Sequence, residues 1–337
     1  MNVGTTGYHQ KQQNATIYVP EIMHAAAIDA FGGPEMLTLK QVPVPKLDKG
    51  EVLIALDTAG VGSWDAEMRA GWYPDGYPDF PLVLGTDGSG KVAAMGSHTR
   101  RLRIGDAVYA CSFANDKGGF YAEYVVVRAE RAAPIPKGLS MREAGAIPTT
   151  GLTAIQGIDD ALRIKKGEAV VILGASGGVG TLAVQFAKLR EARVLGIASG
   201  ADGVALVRRL GADAAVDGRH GDVSAALQKF APKGVDAVLA LAGGETLEVV
   251  IDAIKGGGPV AYPNGVDPKP KKRHGVRMVP YDGVPGVREF DCLAMAVEAA
   301  NLKVPIAAKF PLGQAALAHR RLAQGHVLGK ILLEIAT

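Results

Sequence analysis

The sequence predicts an α/β protein in two parts: a doubly wound parallel sheet and an irregular barrel of short strands. Three observations carry this. Residues 169–188 read AVVILGASGGVGTLAVQFAK, a buried-strand run, a glycine turn and an amphipathic helix with no residue to spare. After them, strands and helices alternate to about residue 290, the pattern of a parallel sheet with helices on both faces. Before them, up to about residue 140, short apolar stretches alternate with Gly and Pro turns, as in small barrels.

Composition bounds the function. At 337 residues, 48% hydrophobic and 21% charged, the chain suits roughly two domains with sizeable cores. Its net charge of +3 is too small to point to nucleic acid or an anionic membrane. The local basic cluster Lys269, Lys271, Lys272 and Arg273 reads as a solvated loop. No apolar run is long enough to span a membrane. Residues 1–22 are polar, lack the apolar core of a signal peptide and are expected to be a disordered extension. Cys111 and Cys292, the two cysteines, provide neither a disulfide framework nor a Cys-based structural zinc site, and a cytoplasmic location fits.

In chain order, the spacing predicts strands over 24–29, 37–41 and 51–58, the last with Val52, Ile54 and Leu56 on one face. Residues 59–65 read as a turn into a short helix around 66–70, and 73–81 as a loop. Strands follow at 90–95, near 104–109 and at 119–127. Ser140 and Glu143 form a capping box before a helical 144–157, interrupted by Pro148. Strands are then expected at 169–173, 193–198, 214–216, 235–240, 259–262 and 276–280. Helices are expected at 201–210, 222–230, 245–254, 291–300 and 312–324. A terminal strand at 331–335 should return to the barrel, because the α/β unit is complete by about residue 290.

The glycine turn is the chemical centre. Gly174, Ser176, Gly177, Gly178, Val179 and Gly180 lie where a strand ends and a helix begins. That geometry aims free backbone N–H groups and a positive helix end at one spot, where a pyrophosphate can sit.

With its neighbour Ile147-Pro-Thr-Thr-Gly-Leu-Thr-Ala154, this stretch resembles the medium-chain dehydrogenase/reductase superfamily, in its zinc-free quinone oxidoreductase (zeta-crystallin-like) branch. Matches also run through Asp29–Pro34, Gly50–Ile54, Pro81–Gly85, Gly105–Val108, Leu210–Asp213 and His326–Lys330. The resemblance implies a GroES-like barrel over 23–145 and 292–337, a Rossmann domain over 146–291, and an active site in the cleft between them. It also implies a homodimer through edge strands of the two Rossmann sheets.

Zinc can be tested by position. Where zinc-dependent relatives carry a Cys, a His and a second Cys, this chain has Gly62, Thr86, and Thr149 or Thr150. None of these supplies a thiolate or imidazole. No metal site is expected, so there is no Lewis acid to polarise an alcohol or carbonyl. Electron-poor acceptors such as quinones or conjugated enones are then the favoured small-molecule substrates.

The cofactor is expected to be NADP(H). An NAD site places Asp or Glu at the end of the second strand, and here Ala198-Ser199 stands there. Ser199 can donate to a 2′-phosphate. Arg219 supplies a charge for it, or is an exposed loop arginine. Asp202 lies three residues past Ser199, where it can be an N-cap. By resemblance Gly243 and Asn264 flank the nicotinamide, Asn264 either bonding the cofactor or shaping its turn. Trp64, Asp65, Tyr73 and Thr149 are the pocket candidates. Trp64 stacks on a planar quinone or packs in the core. Asp65 relays a proton or caps a helix. Thr149 donates to a carbonyl where negative charge develops. The expected reaction is hydride transfer from NADPH to a quinone or to an enone β-carbon. The alternatives are an enoyl or 2-alkenal reductase and a non-catalytic NADPH-binding, crystallin-like or RNA-binding protein.

Overall fold

The structure is a computed structural model and describes residues 7–12, 15–73 and 78–335. Its first part comprises β1 (Gly7–Gln12), β2 (Ala15–Pro20), β3 (Ile22–Ile28), β4 (Thr38–Pro43), β5 (Glu51–Val61), α1 (Ser63–Arg69), β6 (Leu82–Val83), β7 (Asp87–Met95), β8 (Ala107–Cys111), β9 (Tyr124–Arg128) and β10 (Ala132–Pro134). Helices α2 (Met141–Gly145) and α3 (Pro148–Gln156) follow. Then come β11 (Ala169–Leu173), α4 (Gly178–Leu189), β12 (Arg193–Ala198), α5 (Gly200–Arg209), β13 (Ala214–Asp217), α6 (Val223–Phe230), β14 (Ala237–Ala240), α7 (Glu245–Asp252), β15 (Pro259–Pro263) and β16 (Arg277–Tyr281). The chain ends with α8 (Val287–Ala300), β17 (Ile306–Pro311), α9 (Ala315–Ala323) and β18 (Lys330–Glu334).

Strands β11 to β16 form one parallel sheet in the order β13-β12-β11-β14-β15-β16. Every residue of β11 is buried. Its side chains alternate between two cores, as a strand's period of two requires. Val170 and Ile172 pack with Leu182 and Phe186 of α4, while Val171 and Leu173 pack with Leu227 of α6 and Leu247 of α7. Helices therefore cover both faces. The chain reverses direction across the sheet between β11 and β14, which opens a crevice at the strands' carboxyl ends.

The second body is a curved sheet in the order β10-β8-β7-β5-β18-β17, with β9 also on β5, beside a small sheet β4-β3-β6. Ile28, Ile54, Val92, Phe120 and Leu333 fill its core. As expected, the terminal strand returns here: β18 runs antiparallel to β5, Leu332 opposite Gly60. That pairing changes one local expectation. Residues 59–61, predicted as a turn, continue β5 because β18 supplies their ladder partners.

Other differences have local causes. The helical stretch 144–157 is two helices, because Pro148 starts α3 at a position where its missing N–H is no loss. The Ser140 capping box is present: Ser140 Oγ accepts from Glu143 N at 3.2 Å and Glu143 Oε2 from Ser140 N at 2.9 Å. Helix α8 starts at Val287, and its Phe290, Leu293 and Val297 share a core with Ile172 and Phe186. In the polar extension, β1 and β2 pair as a hairpin, and Val19 is buried against Leu53, Ala93, Ala94 and Val126.

Candidate active site

The glycine turn links β11 to α4. Gly174 has φ +80°, in the left-handed region that glycine tolerates. Gly180 allows the helix to close on the strand: a Cβ there would overlap the Gly174 carbonyl and lie 2.7 Å from Ala175 Cα. Ser176 is buried, while Gly177, Gly178 and Val179 are half-buried at the start of α4. The turn is tied to the barrel. Gly329 N donates to Ser176 O at 2.9 Å, and Gly177 and Gly329 form a parallel bridge just before β18.

That tie brings Lys330 against the turn. A Cβ on Gly178 would stand 3.3 Å from Thr150 Cγ2 and 3.7 Å from Lys330 Cδ. Lys330 is 5% exposed, and its ammonium makes no hydrogen bond among the described residues. It lies 3.7 Å from Asp87 Oδ1 and 5.0 Å from the centre of the Trp64 ring. Asp87 Oδ2 accepts from Thr149 N at 3.0 Å, while Asp87 Oδ1 and Trp64 Nε1 are buried with no hydrogen bond. The Thr149 hydroxyl is buried near the Cys111 thiol without a well-formed bond, and burial pushes that thiol well up. Trp64, Thr149, Thr150 and the glycine turn thus meet around one buried cation. The Lys330 ammonium is ion-paired with Asp87 but makes no hydrogen bond among the described residues, and its side chain runs past the start of α4, a setting that an anionic cofactor group would complete, so these residues fit a dinucleotide pyrophosphate.

Asp65 is placed differently from its prediction. It is the third residue of α1, and Gly62 is the N-cap. Its carboxylate caps from inside the helix, accepting from Gly62 N at 2.7 Å, from Thr86 Oγ1 at 2.6 Å and from the Tyr121 hydroxyl at 3.1 Å. Burial raises its pKa to about 6, against the hydrogen bond from Thr86 and the charge of Lys330. Tyr121 continues to His319 Nε2 at 3.1 Å, and Arg69 donates to His319 Nδ1 at 2.7 Å. Burial, then Arg69, lowers the His319 pKa to about 3. Gly62 and Thr86, two of the zinc-ligand positions, are therefore engaged with Asp65. Among the described residues, no three His, Cys, Asp or Glu side chains converge as metal ligands. Tyr73 lies close enough for the Asp65 charge to act on it. Its buried hydroxyl makes no hydrogen bond among the described residues, and burial pushes its pKa up to about 12.

At the other end of the crevice, Ser199 follows β12. Ser199, not Asp202, is the N-cap of α5, and its side chain makes no capping bond. Instead Ser199 Oγ lies 3.0 Å from His326 Nδ1, and His326 Nε2 lies 3.0 Å from Asp202 Oδ2. The order of groups is that of a hydrolytic triad. However, the Asp202 carboxylate is 61% exposed, whereas a working triad buries its acid. Arg219 is exposed two residues after Asp217, which is the register partner of Ala198. Gly243 lies between β14 and α7. Asn264 donates to Asp282 Oδ2 at 2.7 Å, which commits its amide to the loop.

Sequence reasoning missed Lys330, Asp87, Tyr121, His319 and the link from His326 to Ser199. Only the motif His326–Lys330 marked any of them.

Comparison with known proteins agrees with this geometry. Residues 48–137 match the alcohol dehydrogenase GroES-like domain, and residues 210–333 match the zinc-binding dehydrogenase family model. The chain is 30% identical to a chloroplast envelope quinone oxidoreductase homolog of Arabidopsis thaliana, covering 93% of this chain and 99% of that one. It superposes on an NAD-dependent alcohol dehydrogenase with a TM-score of 0.85 and 32% identity, over 93% of this chain and all of the other (100%). A mycobacterial protein solved with NADPH superposes at 0.80 with 25% identity, over 93% and 99% of the two chains. A glycine turn at the parallel sheet's crevice, a barrel tied to it through Gly329, and relatives along nearly the whole length lead to one conclusion: the chain belongs to the quinone oxidoreductase-like family of medium-chain dehydrogenases/reductases.

Proposed function

We propose that this oxidoreductase uses NADPH to reduce quinones or other electron-poor conjugated carbonyl compounds, without zinc. The buried Lys330, ion-paired with Asp87 yet without a hydrogen bond among the described residues, carries the reading, because its side chain joins the glycine turn at Gly178 to Trp64 of the barrel. Bound NADPH supplies the hydride. Gly174, Ser176, Gly177, Gly178, Val179 and Gly180 hold its pyrophosphate with Lys330, Ser199 and Arg219 face the 2′-phosphate, and Gly243 and Asn264 border the nicotinamide. Trp64 offers a flat face and Thr149 a hydroxyl to the acceptor. Asp65 acts through Gly62 and Thr86, keeping the pocket wall in place. With Gly62, Thr86 and Thr149 or Thr150 at the metal positions, the residues favour acceptors that need no Lewis acid.

A 2-alkenal or enoyl double-bond reductase is the second reading. Tyr73 favours it, because a protonated hydroxyl near Asp65, with no hydrogen bond among the described residues, can supply the proton that an enolate requires. The same proposal includes the unit boundaries 23–145 with 292–337 and 146–291, a homodimer through edge strands of the two parallel sheets, and a cytoplasmic location. Among the described residues, no helix is long and apolar enough to cross a membrane. A panel of quinones, enones and aldehydes assayed with NADPH tests the reading. Oxidation of NADPH by quinones or enones but not by aldehydes is expected. No oxidation with any acceptor, together with a thermal shift by NADPH, would replace the reading with a non-catalytic binding protein.

A further inference from the structure

Ser199 has one hydroxyl hydrogen, and His326 decides where it points. Asp202 Oδ2, 3.0 Å from His326 Nε2, is a carboxylate oxygen that only accepts. The contact from His326 holds the Asp202 carboxyl below the usual carboxylate range. Nε2 therefore carries its hydrogen whether His326 is neutral or charged, and Nδ1 is the atom that changes. In the neutral ring, Nδ1 is a bare lone pair. It takes the Ser199 O–H at 3.0 Å, and Ser199 then offers only lone pairs outward. In the imidazolium, Nδ1–H donates to Ser199 Oγ, and the hydroxyl hydrogen turns outward.

The place where this happens is the carboxyl end of β12, where a dinucleotide's adenosine ribose meets the second strand. Ser176 of the glycine turn is close by: a Cβ on Gly203 would stand 3.2 Å from its hydroxyl. A ribose 2′-hydroxyl can donate to outward lone pairs. A fully ionised 2′-phosphate cannot, and needs a donor.

We infer that His326 selects the dinucleotide: neutral, it makes Ser199 an acceptor suited to NADH, and protonated, it makes Ser199 a donor, adding a positive charge, suited to NADPH. The inference rests on the dinucleotide reading of the glycine turn. Other charged groups surround the pair. Asp202 lies on α5. Asp217 ends β13, bonded to the backbone of Arg219 and Gly200. Arg219 and His220 are exposed beside it. From α9, Arg321 donates to the carbonyls of Gly325 at 2.9 Å and His326 at 3.1 Å, which fixes the backbone that carries the imidazole.

The test measures the ratio of kcat/KM for NADPH to that for NADH between pH 5.5 and 8.5, in wild type, His326→Gln and Ser199→Ala, with direct binding followed by cofactor fluorescence. The phosphate's own second ionisation, near about pH 6, persists in all three proteins, so the readout is the difference between wild type and H326Q. In wild type the ratio should fall by about tenfold more than in H326Q as pH rises, the worth of one charge-assisted hydrogen bond. S199A, which loses the hydroxyl but keeps the imidazole charge, should fall between wild type and H326Q. A ratio that changes equally with pH in wild type and H326Q, with both cofactors bound, overturns the inference and leaves the dinucleotide reading standing. Failure of both cofactors to bind wild type at any pH overturns both.

Discussion

Lys330 Nζ and Asp87 Oδ1 face each other at 3.7 Å with 5% and 0% of their side chains exposed, and neither atom has a hydrogen bond. A buried charge that loses its partner is far costlier than the pair is stabilising. Lys330→Met should therefore lower the unfolding free energy by about 3–5 kcal/mol. The double change Lys330→Met, Asp87→Asn should recover most of that stability and still bind NADPH weakly. Urea unfolding and cofactor titration of the two variants separate the structural from the ligand role.

Gly180→Ala tests the turn. Its Cβ would overlap the Gly174 carbonyl, so α4 must shift away from β11. Overpacking of this kind costs about 1–3 kcal/mol. The thermal midpoint should fall, and NADPH affinity should fall with it because the helix N-terminus moves.

Asp65 and His319, joined through Tyr121, give stability opposite pH slopes. The Asp65 pKa is raised from 3.8 to about 6, so the folded protein holds this proton more tightly than the unfolded chain. Its contribution is greatest below about pH 4 and is lost as pH rises to about 6, up to about 3 kcal/mol. The His319 pKa is lowered from 6.5 to about 3, so its contribution is present above pH 6.5 and is lost as pH falls toward 3. The slopes oppose each other between about pH 4 and 6. Asp65→Asn should leave a protein that loses stability on acidification in that window, and His319→Gln one that gains it. Denaturant titrations at half-unit pH steps check both signs, and parallel curves for the two variants would refute the assignment.

Tyr73→Phe removes a hydroxyl with no hydrogen bond among the described residues, so stability should stay within about 0.5 kcal/mol of wild type or rise. If Tyr73 delivers the proton in enone reduction, kcat on enones should fall by about 10²-fold or more while quinone turnover is little changed. Steady-state kinetics with one quinone and one enone check the split.

The parallel sheet and its glycine turn were legible because their signals are local. β12 was expected at Arg193–Ala198 and lies there, since a run of apolar residues between turns can scarcely be placed elsewhere. Register and long-range pairing were less legible. Residues 59–61 look like a turn in isolation and are strand only because β18 lies beside them. β17 was missed, because its Ile306–Pro311 mixes Lys309 and Pro311 with small residues and is held by its parallel partner β18.

By itself the sequence determined that a glycine turn joins a buried strand to an amphipathic helix, and that Gly62, Thr86, Thr149 and Thr150 offer neither thiolate nor imidazole. Those are statements about residue type at a position, and residue type needs no coordinates. Only the tertiary structure decided which side chains meet. Ser199 and His326 are 127 residues apart, Tyr121 and His319 198, and Arg69 and His319 250. Each pair is brought together when the terminal segment folds back so that β18 pairs with β5 and Gly329 bonds Ser176. The sequence predicts that the terminal strand returns to the barrel, but not which side chains the return brings together, because those pairings follow from packing two separate cores against each other and not from any stretch of chain.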